Sequence, residues 1–468
     1  MPLILGTNSI KDTGFDVANS LRFDSASDEN LSRTPSSASN RKTFTISVWV
    51  KKAKLGNTQT IIDARIDSND NCSIFFNSDD NIFIKFKVSP TSQNTSLTTN
   101  RKFRDLSAWF HIVLAVDMTQ GTDTNRVKLY VNGVQETSFS SATYLAQNTD
   151  TTYNNTNEHQ LGSRVADTSQ DLDGYMAEFV MVDGQALDPT SFGEFDEDSV
   201  IWKPKDVSGL TFGTNGFYLD FENSGSLGAD VSGNGNNFTV NNLTSVDQST
   251  DTCTNNFCTM NPLMKNPSAT NTFSEGNLVV TIDQTDACIG STIGVNSGKW
   301  YWEQKWTQQG ANDRWGVVPD DAVMSNHPRT TGIGWDTSSS QFYLLGSAVS
   351  GTWGGSIGTS DIIQIALDLD NSALYLGVNG TYRNSGNPTS ASSRTGAVDF
   401  SSSSLVGKFL LAGFGKGNQD NSTMQYNFGS PPYSESGGNS DGNGYGNFNQ
   451  AVPSGYYALN TKNLAEYG

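Results

Sequence analysis

The sequence predicts an all-β protein built of two antiparallel β-sandwiches in tandem. Its strand-like runs are short and separated by turn residues, including 45 glycines in 468 residues, and helical periodicity is almost absent. One hairpin pattern also occurs twice, at residues 109–134 and 361–381: an apolar strand, an aspartate, a polar loop and a second strand that ends in Asn-Gly. Asn-Gly suits a type I′ turn because both central residues need positive φ. We therefore predict that Gly133 and Gly380 lie in hairpin turns, one in each sandwich.

The first sandwich is expected over residues 19–200, after an N-terminal arm at residues 1–18. Residues 43–50 (TFTISVWV) alternate apolar and other side chains, which is typical of a half-buried strand. Residues 82–88 interleave two lysines with isoleucine, phenylalanine and valine, as in a strand with one wet face. Residues 174–182 (GYMAEFVMV) are expected to close the sandwich.

The second half of the chain is expected to hold a connector, a second sandwich and a tail. The connector, residues 201–265, contains short strand patterns and is too apolar for a free linker. The second sandwich covers residues 266–430, and its strand at residues 299–306 (KWYWEQKW) carries a one-face tryptophan stripe, which indicates core. Residues 431–468 form a Gly/Asn-rich tail whose aromatic residues are expected to wrap on the domain or on a neighbouring subunit.

Charge and composition exclude several function classes. The net charge is −19, and no Lys/Arg cluster offers the basic face that a nucleic-acid binder needs. An acidic surface also disfavours anionic membranes, and no apolar run approaches a membrane span. The first residues lack the basic and apolar regions of a signal peptide, so the chain is expected to fold in a cytoplasm.

The four cysteines do not have zinc-site spacing, and there are only three histidines. Cys253 and Cys258 are close enough in sequence for a small-loop disulfide after release from the cell. Free thiols are the alternative, which a reducing compartment favours. The sequence leaves this choice open.

Several motifs carry a family resemblance. Trp-x-His, then Asp, then Leu-Tyr-Val-Asn-Gly in residues 109–133 resembles a laminin-G or pentraxin type concanavalin-like sandwich. The second copy follows GKWYWE at residue 298 and WGVV at residue 315, a combination that resembles a SPRY domain. The order of the two, with the segments at residues 20–52, 174–197 and 451–468, is similar to structural proteins of tailed bacteriophages, especially marine ones. The resemblance implies two jelly rolls in a virion component made in the host cytoplasm.

The resemblance also raises the question of catalysis, since concanavalin-like sandwiches include glucanases with a Glu-x-Asp-x-x-Glu strand. Two carboxyl groups a short distance apart would be needed. The nearest match begins at Glu194 and Asp196, but Ser199 occupies the closing position. Asp171, Asp173 and Glu178 also fail the spacing, so we predict a protein that is not an enzyme.

Calcium is the cation that the resemblance implies, because laminin-G and pentraxin-like domains often bind it at the sandwich rim through oxygen ligands. The candidate ligands are Asp117, Asp183, and Asp230 with Asn234 and Asn236. The alternative is that these side chains make backbone hydrogen bonds at strand ends and turns. No cofactor is required by the sequence.

Sugar binding is predicted from aromatic and amide side chains in loops, since pyranose rings stack on aromatic faces and amides bond to their hydroxyls. Trp353 stands in a Gly-rich loop, where a large ring has little packing purpose. The full set of candidates is Trp335, Trp353, Tyr382 and Asn384 in the second sandwich and Tyr153 and Asn154 in the first.

Three functional hypotheses follow from these observations. The preferred one is a virion protein, in a tail fibre, another appendage or the capsid surface, that attaches to host surface polysaccharide and assembles as a homo-oligomer with other virion proteins. The second is an architectural adaptor or decoration subunit without a ligand, and the third is a glycan depolymerase. Neither nucleic acid nor membrane insertion is expected.

Overall fold

The computed structural model describes residues 4, 10–90, 94–283, 288–417 and 420–468. It divides the chain into two compact units. The first comprises residues 13–254, and the second comprises residues 255–468 with Ile4 and residues 10–12. Each unit is built on two large, mainly antiparallel sheets, and the first unit adds the two-stranded sheet of residues 193–195 and 202–204, which confirms the predicted all-β class.

The first unit contains eighteen strands among its described residues. In chain order they are β1 Ser20–Phe23, β2 Asn30–Arg33, β3 Thr43–Lys52, β4 Gln59–Arg65, β5 Asn71–Phe76, β6 Ile82–Lys87, β7 Thr95–Thr99, β8 Trp109–Asp117, β9 Val127–Val131, β10 Val134–Glu136, β11 Phe139–Thr143, β12 Glu158–Leu161, β13 Gly174–Asp183, β14 Gly193–Phe195, β15 Trp202–Pro204, β16 Phe217–Leu219, β17 Thr239–Asn241 and β18 Gln248–Ser249. Short 3-10 turns lie at Ser25–Ser27, Asp123–Asn125, Thr168–Gln170 and Pro189–Ser191.

Two large sheets enclose the core of this unit. Sheet A has the order β10-β9-β8-β3-β13-β1-β18, with β16 also paired to β13, and sheet B has the order β11-β7-β6-β5-β4-β12-β2-β17. The alternation of β6 places Ile82, Ile84 and Phe86 in the core and Phe83 and Lys85 on the opposite face. This is the wet-faced strand that the sequence predicts.

The predicted hairpin turn is present in this unit. Asn132 and Gly133 have φ of 47° and 77° between β9 and β10, as a type I′ turn requires. The Asn132 side chain also fixes the turn, since its oxygen accepts the backbone N–H of His111 at 2.8 Å. The prediction for Gly133 is confirmed.

The predicted connector, residues 201–265, is not a separate element. Its strands β16, β17 and β18 pair with β13, β2 and β1 and extend both sheets of the first unit. Hydrophobic burial explains this, because Phe217, Leu219, Phe221, Leu227, Phe238 and Leu243 belong to the core of that unit. The first sandwich therefore continues to Thr254.

The predicted N-terminal arm, residues 1–18, is divided between the units. Residues 1–3 and 5–9 lie outside the described residues. Ile4 bridges to Ile293 in the second unit. Val17 is buried in the first unit, where its N–H donates to the Thr254 hydroxyl at 3.0 Å.

The second unit contains sixteen strands and two helices among its described residues. The strands are β19 Met260–Lys265, β20 Thr272–Ser274, β21 Val279–Ile282, β22 Cys288–Ser291, β23 Lys299–Gln308, β24 Asp313–Pro319, β25 Ile333–Asp336, β26 Gln341–Leu344, β27 Ser347–Ala348, β28 Ile363–Asp368, β29 Ala373–Val378, β30 Thr381–Tyr382, β31 Val398–Asp399, β32 Leu410–Lys416, β33 Ser422–Asn427 and β34 Tyr457–Ala458. The helices are α1 Pro328–Thr331 and α2 Thr461–Tyr467, with 3-10 turns at Glu275–Asn277 and Pro388–Ser393.

Sheet C has the order β19-β22-β32-β24-β25-β26-β27, and sheet D has the order β20-β21-β33-β23-β28-β29-β30. The predicted tryptophan stripe on β23, Trp300, Trp302 and Trp306, lies between them in the core. The same type of Asn-Gly turn is present here: Gly380 has φ of 82°, and the Asn379 side-chain oxygen accepts the Ile362 N–H at 2.8 Å. The prediction for Gly380 is also confirmed.

The predicted tail, residues 431–468, packs on its own unit. Strand β34 pairs in parallel with β23, and α2 buries Leu464 against the core. All four cysteines are free thiols. No helix in the described part of the chain is long and apolar enough to span a bilayer.

Candidate functional site

The outer face of sheet B differs from the outer faces of the other three large sheets. Sheets A, C and D each carry an apolar cluster on the side away from the core, with a chain segment packed over it. The outward rings of sheet B, Phe75 and Phe83, are half-buried and join no hydrophobic cluster of the described residues. This face is therefore open, and a ligand can reach it.

An aromatic row crosses this face on four neighbouring strands. Thr60, Phe75, Phe83 and Thr98 are successive partners in the β4, β5, β6 and β7 register. Strands lie 4.7–4.9 Å apart, so the row spans about 14 Å. The two phenyl rings meet edge to face, with centroids 4.9 Å apart and planes at 72°. They form a small apolar platform bordered on both sides by threonines.

A polar row lies beside the aromatic one. Asp63, Ser73, Lys85 and Ser96 are successive partners on the same four strands. The buried Asp63 carboxylate accepts a short hydrogen bond from the Ser73 hydroxyl and a bond from Arg65 Nε at 3.1 Å. Asp63 is thus engaged in orienting Arg65, while Lys85 forms no ion pair with a carboxylate among the described residues.

The residues of the two rows, except Asp63 and Thr98, line a cavity of about 300 Å³. Arg164 and Gln170, from the loop between β12 and β13, complete its wall. Three buried polar atoms at this cavity, Thr60 Oγ1, Arg65 Nη2 and Asn94 Oδ1, lack a hydrogen-bond partner within the described part of the chain. A buried polar group without a partner costs about 1–3 kcal/mol, so a ligand that bonded to these atoms would recover that free energy.

The cavity is electrostatically positive at its centre. Burial lowers the pKa of Lys85, and the neighbouring cations Arg164 and Arg65 lower it further. Asp63 acts in the opposite direction. A cation so placed is stabilised by an anionic or strongly polar ligand.

A larger groove of about 1070 Å³ adjoins the cavity. Asn94 and Ser96 line both, so the two are continuous across β7. The groove continues between β11 of sheet B and the β9–β10 edge of sheet A, past Phe139 and Tyr144. The open surface therefore has room for a chain longer than the cavity itself.

The stacking residues predicted from the sequence are mostly inside the cores. Trp335 and Trp353 are 1% and 2% exposed, and Trp353 packs on Phe342 and donates its indole N–H to Val349 O at 3.1 Å. Tyr153 and Asn154 are 0% and 1% exposed. The prediction that these four side chains contact a sugar is wrong, because their faces are covered by protein.

Tyr382 and Asn384 remain half-buried at the surface of the second unit. The Asn384 oxygen accepts the Thr352 N–H at 2.8 Å, and its amide donates to Gly396 O at 3.3 Å. These bonds hold two loops together, and a sugar contact by this pair stays a prediction.

The predicted calcium ligands Asp117 and Asp183 accept hydrogen bonds from the protein. Asp117 accepts from Thr119 and Gln120, each side-chain bond measuring 2.6 Å. Asp183 accepts the Asn154 amide at 3.2 Å and the Asn215 N–H at 2.9 Å. Both carboxylates thus act as strand-end hydrogen-bond acceptors, the alternative weighed from the sequence.

The loop with Asp230, Asn234 and Asn236 is likewise internally bonded. Asp230 accepts the backbone N–H of Asn236 at 2.7 Å, and both asparagine amides donate to Gly216 O. The Asn236 oxygen accepts a short bond from the Arg33 guanidinium, a fixed cation. Among the described residues, no group of three His, Cys, Asp or Glu side chains is arranged to hold a metal. Calcium binding stays a prediction, without support from these five residues.

Three of the carboxylates weighed for catalysis, Glu194, Asp196 and Glu178, do not form an acid–base pair. Glu194 and Asp196 both face Lys203, at 3.6 and 3.4 Å, and bonds from Ser199 lower the pKa of Asp196 to about 2. Glu178 is buried against Tyr218 beside a cavity of only about 10 Å³. A sugar ring has no room there.

A buried Ser47–His111 pair has the wrong tautomer for a nucleophile. Trp202 donates its indole N–H to His111 Nδ1 at 2.9 Å, so the proton of the neutral ring resides on Nε2 and is donated to Ser47 Oγ at 2.9 Å. Burial lowers the pKa of His111 to about 3, which keeps the ring neutral. Activation of a serine requires the opposite, an imidazole nitrogen that accepts its proton.

A comparison with known protein families gives a match within the first unit. The profile of the Laminin_G_3 family, described as the concanavalin A-like lectin/glucanases superfamily, matches residues 25–191. These residues carry most of sheets A and B, and the first unit therefore contains a laminin-G, concanavalin-like domain. None of the curated proteins matches the sequence.

Distant likenesses to solved structures also exist. The SPRY domain of human HERC1 shares 13% identity over 36% of this chain and 96% of its own, with a TM-score of 0.27. A heptameric SAP-like pentraxin from Limulus polyphemus shares 15% identity over 37% and 79%, at 0.26. A candidate carbohydrate-binding protein from Bacteroides ovatus shares 14% over 48% and 59%, at 0.32.

Proposed function

We propose that the protein binds carbohydrate through the open face of sheet B. The observation that carries this proposal is the aromatic row, Phe75 and Phe83, beside a polar row in an accessible cavity. An aromatic ring offers its face to the C–H groups of a pyranose, while hydroxyl and amide groups bond to the sugar hydroxyls. The match of residues 25–191 to a superfamily of lectins and glucanases supports the same class of ligand.

Each part of the cavity has a role in this proposal. The phenyl platform takes the apolar face of one sugar ring. Ser73, Ser96 and Gln170 are hydrogen-bonding groups at its border, and Thr60 is an unpartnered one. The adjoining groove takes the following residues of the polysaccharide, so the protein is proposed to bind within a chain as well as at its end.

The biological setting is proposed from the sequence resemblance. It is a tailed-phage virion, in which the protein attaches the particle to host surface polysaccharide and contacts other virion proteins. A homo-oligomer would present several copies of the cavity together. Weak sites that bind one surface together give an avidity far above the affinity of each site.

We further propose that binding occurs without turnover. The reasons are the wrong tautomer of His111, the ion-paired Glu194 and Asp196, and the closed surroundings of Glu178. An assay for reducing ends released from the bound polysaccharide checks this part, and their release would revive the depolymerase hypothesis.

Glycan-array binding of the purified full-length protein and its Phe83→Ala variant tests the main proposal. Loss of the platform is expected to weaken binding by at least tenfold, because the stacked ring loses its contact area. The fold should persist, since Phe83 faces away from the core. Phe195→Ala is the matched control: this ring is 44% exposed on β14, away from sheet B.

Equal binding by wild-type protein and the Phe83→Ala variant would remove this site from consideration. Absence of binding to every glycan would favour the architectural hypothesis. Equal losses in the Phe83→Ala and Phe195→Ala variants would indicate a general defect of the first unit rather than a lost contact.

A further inference from the structure

The open face carries a charge that the composition of the chain does not suggest. Strands β4 to β7 contain three cationic side chains, Arg65, Lys85 and Lys87, and one carboxylate, Asp63. The whole chain has a net charge of −19. A positive patch on so acidic a protein is a local feature of this surface.

The acidic side chains near the cavity are already engaged. Asp63 accepts bonds from Arg65 and Ser73, and Asp167 pairs with Arg164 at 2.9 Å. Glu158, opposite Arg65 on β12, accepts the Gln160 amide at 2.9 Å. Lys85 has no such carboxylate partner among the described residues, so its charge is available to a ligand.

The geometry of the two rows relates this charge to the sugar platform. Lys85 follows Phe83 by two residues on β6, so its backbone lies about 7 Å along the strand on the same face. A lysine side chain spans that distance. If a sugar ring stacks on the phenyl platform, a substituent on one of its ring carbons therefore lies within reach of the Lys85 ammonium.

We propose that the cavity takes a uronic-acid residue of an acidic polysaccharide. This inference rests on the proposed carbohydrate function and specifies its substrate class. The ring carboxylate, attached directly to the pyranose, pairs with the Lys85 ammonium. Thr60 Oγ1 and Arg65 Nη2, both buried without partners, donate to the remaining carboxylate or hydroxyl oxygens. Charge-assisted bonds of this kind are about twice as strong as neutral ones.

Titration calorimetry with three hexasaccharides tests this assignment: hexagalacturonate, maltohexaose and cellohexaose. Short oligomers keep the repulsion between the acidic protein and a polyanion small. Hexagalacturonate is expected to bind at least tenfold more tightly than either neutral sugar. Its affinity is expected to fall as salt rises from 0.05 to 0.5 M, because salt screens the attraction between a polyanion and a solvent-accessible cationic cavity.

Variants separate charge from packing. Lys85→Gln is expected to lose about tenfold in affinity for hexagalacturonate with little change for the neutral sugars, and Lys85→Arg is expected to retain most of the affinity. Lys205→Gln is the control, since Lys205 is an exposed lysine on the segment that covers sheet A. Thermal unfolding of each variant checks that the first unit is intact.

The outcomes distinguish the two proposals. If the neutral hexasaccharides bind as tightly as hexagalacturonate and Lys85→Gln changes nothing, the uronate assignment is wrong and the carbohydrate function stands. If none of the three hexasaccharides binds the wild-type protein, the uronate assignment is wrong, and the glycan array then decides the carbohydrate function. Equal losses in the Lys85→Gln and Lys205→Gln variants would also contradict a specific contact at Lys85.

Discussion

The two units contain the same type of Asn-Gly hairpin turn, but they differ in how the outer faces of their sheets are covered. In both, an asparagine side chain accepts a backbone N–H, from His111 in β8 or from Ile362 just before β28, and a glycine follows at positive φ. In the second unit the outer face of sheet D is closed by the C-terminal segment, where Phe448 packs on Tyr301 with ring centroids 5.0 Å apart. In the first unit no described segment covers the outer face of sheet B in this way. Accessibility, rather than aromatic content, therefore decides which unit is expected to bind a ligand.

The closure of sheet D also has a polar component. Glu303 on β23 accepts the backbone N–H groups of Asn449 and Gln450 at 2.8 and 2.7 Å and the Tyr301 hydroxyl at 2.9 Å. A buried carboxylate bonded to backbone donors ties the segment to the sheet. No equivalent bond holds a segment over Phe75 and Phe83 among the described residues.

The largest expected effect comes from substituting the glycine of the Asn-Gly turn in each unit. At Gly133 a new Cβ would lie 2.4 Å from the Trp202 ring, whereas at Gly380 it would meet the flexible Gln450 side chain at 2.7 Å. Valine at positive φ costs about 1–2 kcal/mol, and a clash in a packed site adds about 1–3. Gly133→Val is therefore expected to cost about 2–5 kcal/mol of unfolding free energy and Gly380→Val about 1–2. Denaturant unfolding of the full-length variants measures both, and the reverse order would contradict the packing described at Trp202.

A second effect, on the pH dependence of stability, is expected in the first unit. Burial raises the pKa of Glu178 to about 8 from its ordinary 4.5. Because the folded state holds this proton more tightly than the unfolded state, the contribution of Glu178 to stability is fully present below about pH 4.5 and is lost as pH rises to about 8. At about 1.4 kcal/mol per pKa unit, the rise in pKa corresponds to a loss of about 5 kcal/mol across that range. Glu178→Gln keeps an acceptor for the Tyr218 hydroxyl and is expected to remove most of this slope. An unchanged pH profile of unfolding in the variant would show that Glu178 does not titrate in this range.

The sequence was sufficient for the fold because its signals were local. Asn-Gly turns, alternation in β6 and the tryptophan stripe of β23 each depend on a few neighbouring residues. Local patterns could not predict where the first sandwich ends, because β16, β17 and β18 pair with strands earlier in the chain. That pairing turned a predicted connector into part of two sheets.

The site was predicted less well, for a physical reason. The Gly-rich loop around Trp353 predicts an exposed ring, but the ring packs on Phe342 and is buried. Phe75, Phe83 and Lys85 were not predicted as site residues, because only the register between neighbouring strands brings them together. The alternation of residues 82–88 did indicate a wet face. It could not show that an aromatic ring from β5 lies opposite Phe83.

Mapping the contact by photo-crosslinking tests the central claim most directly. A hexasaccharide carrying a diazirine, taken from the glycan that binds best, is irradiated with the full-length protein, and the labelled peptides are identified by mass spectrometry. The open face of sheet B predicts labels in residues 59–65, 71–76, 82–87 and 160–170, and their loss in Phe83→Ala. Labels concentrated in residues 333–384 of the second unit, unchanged in that variant, would contradict it.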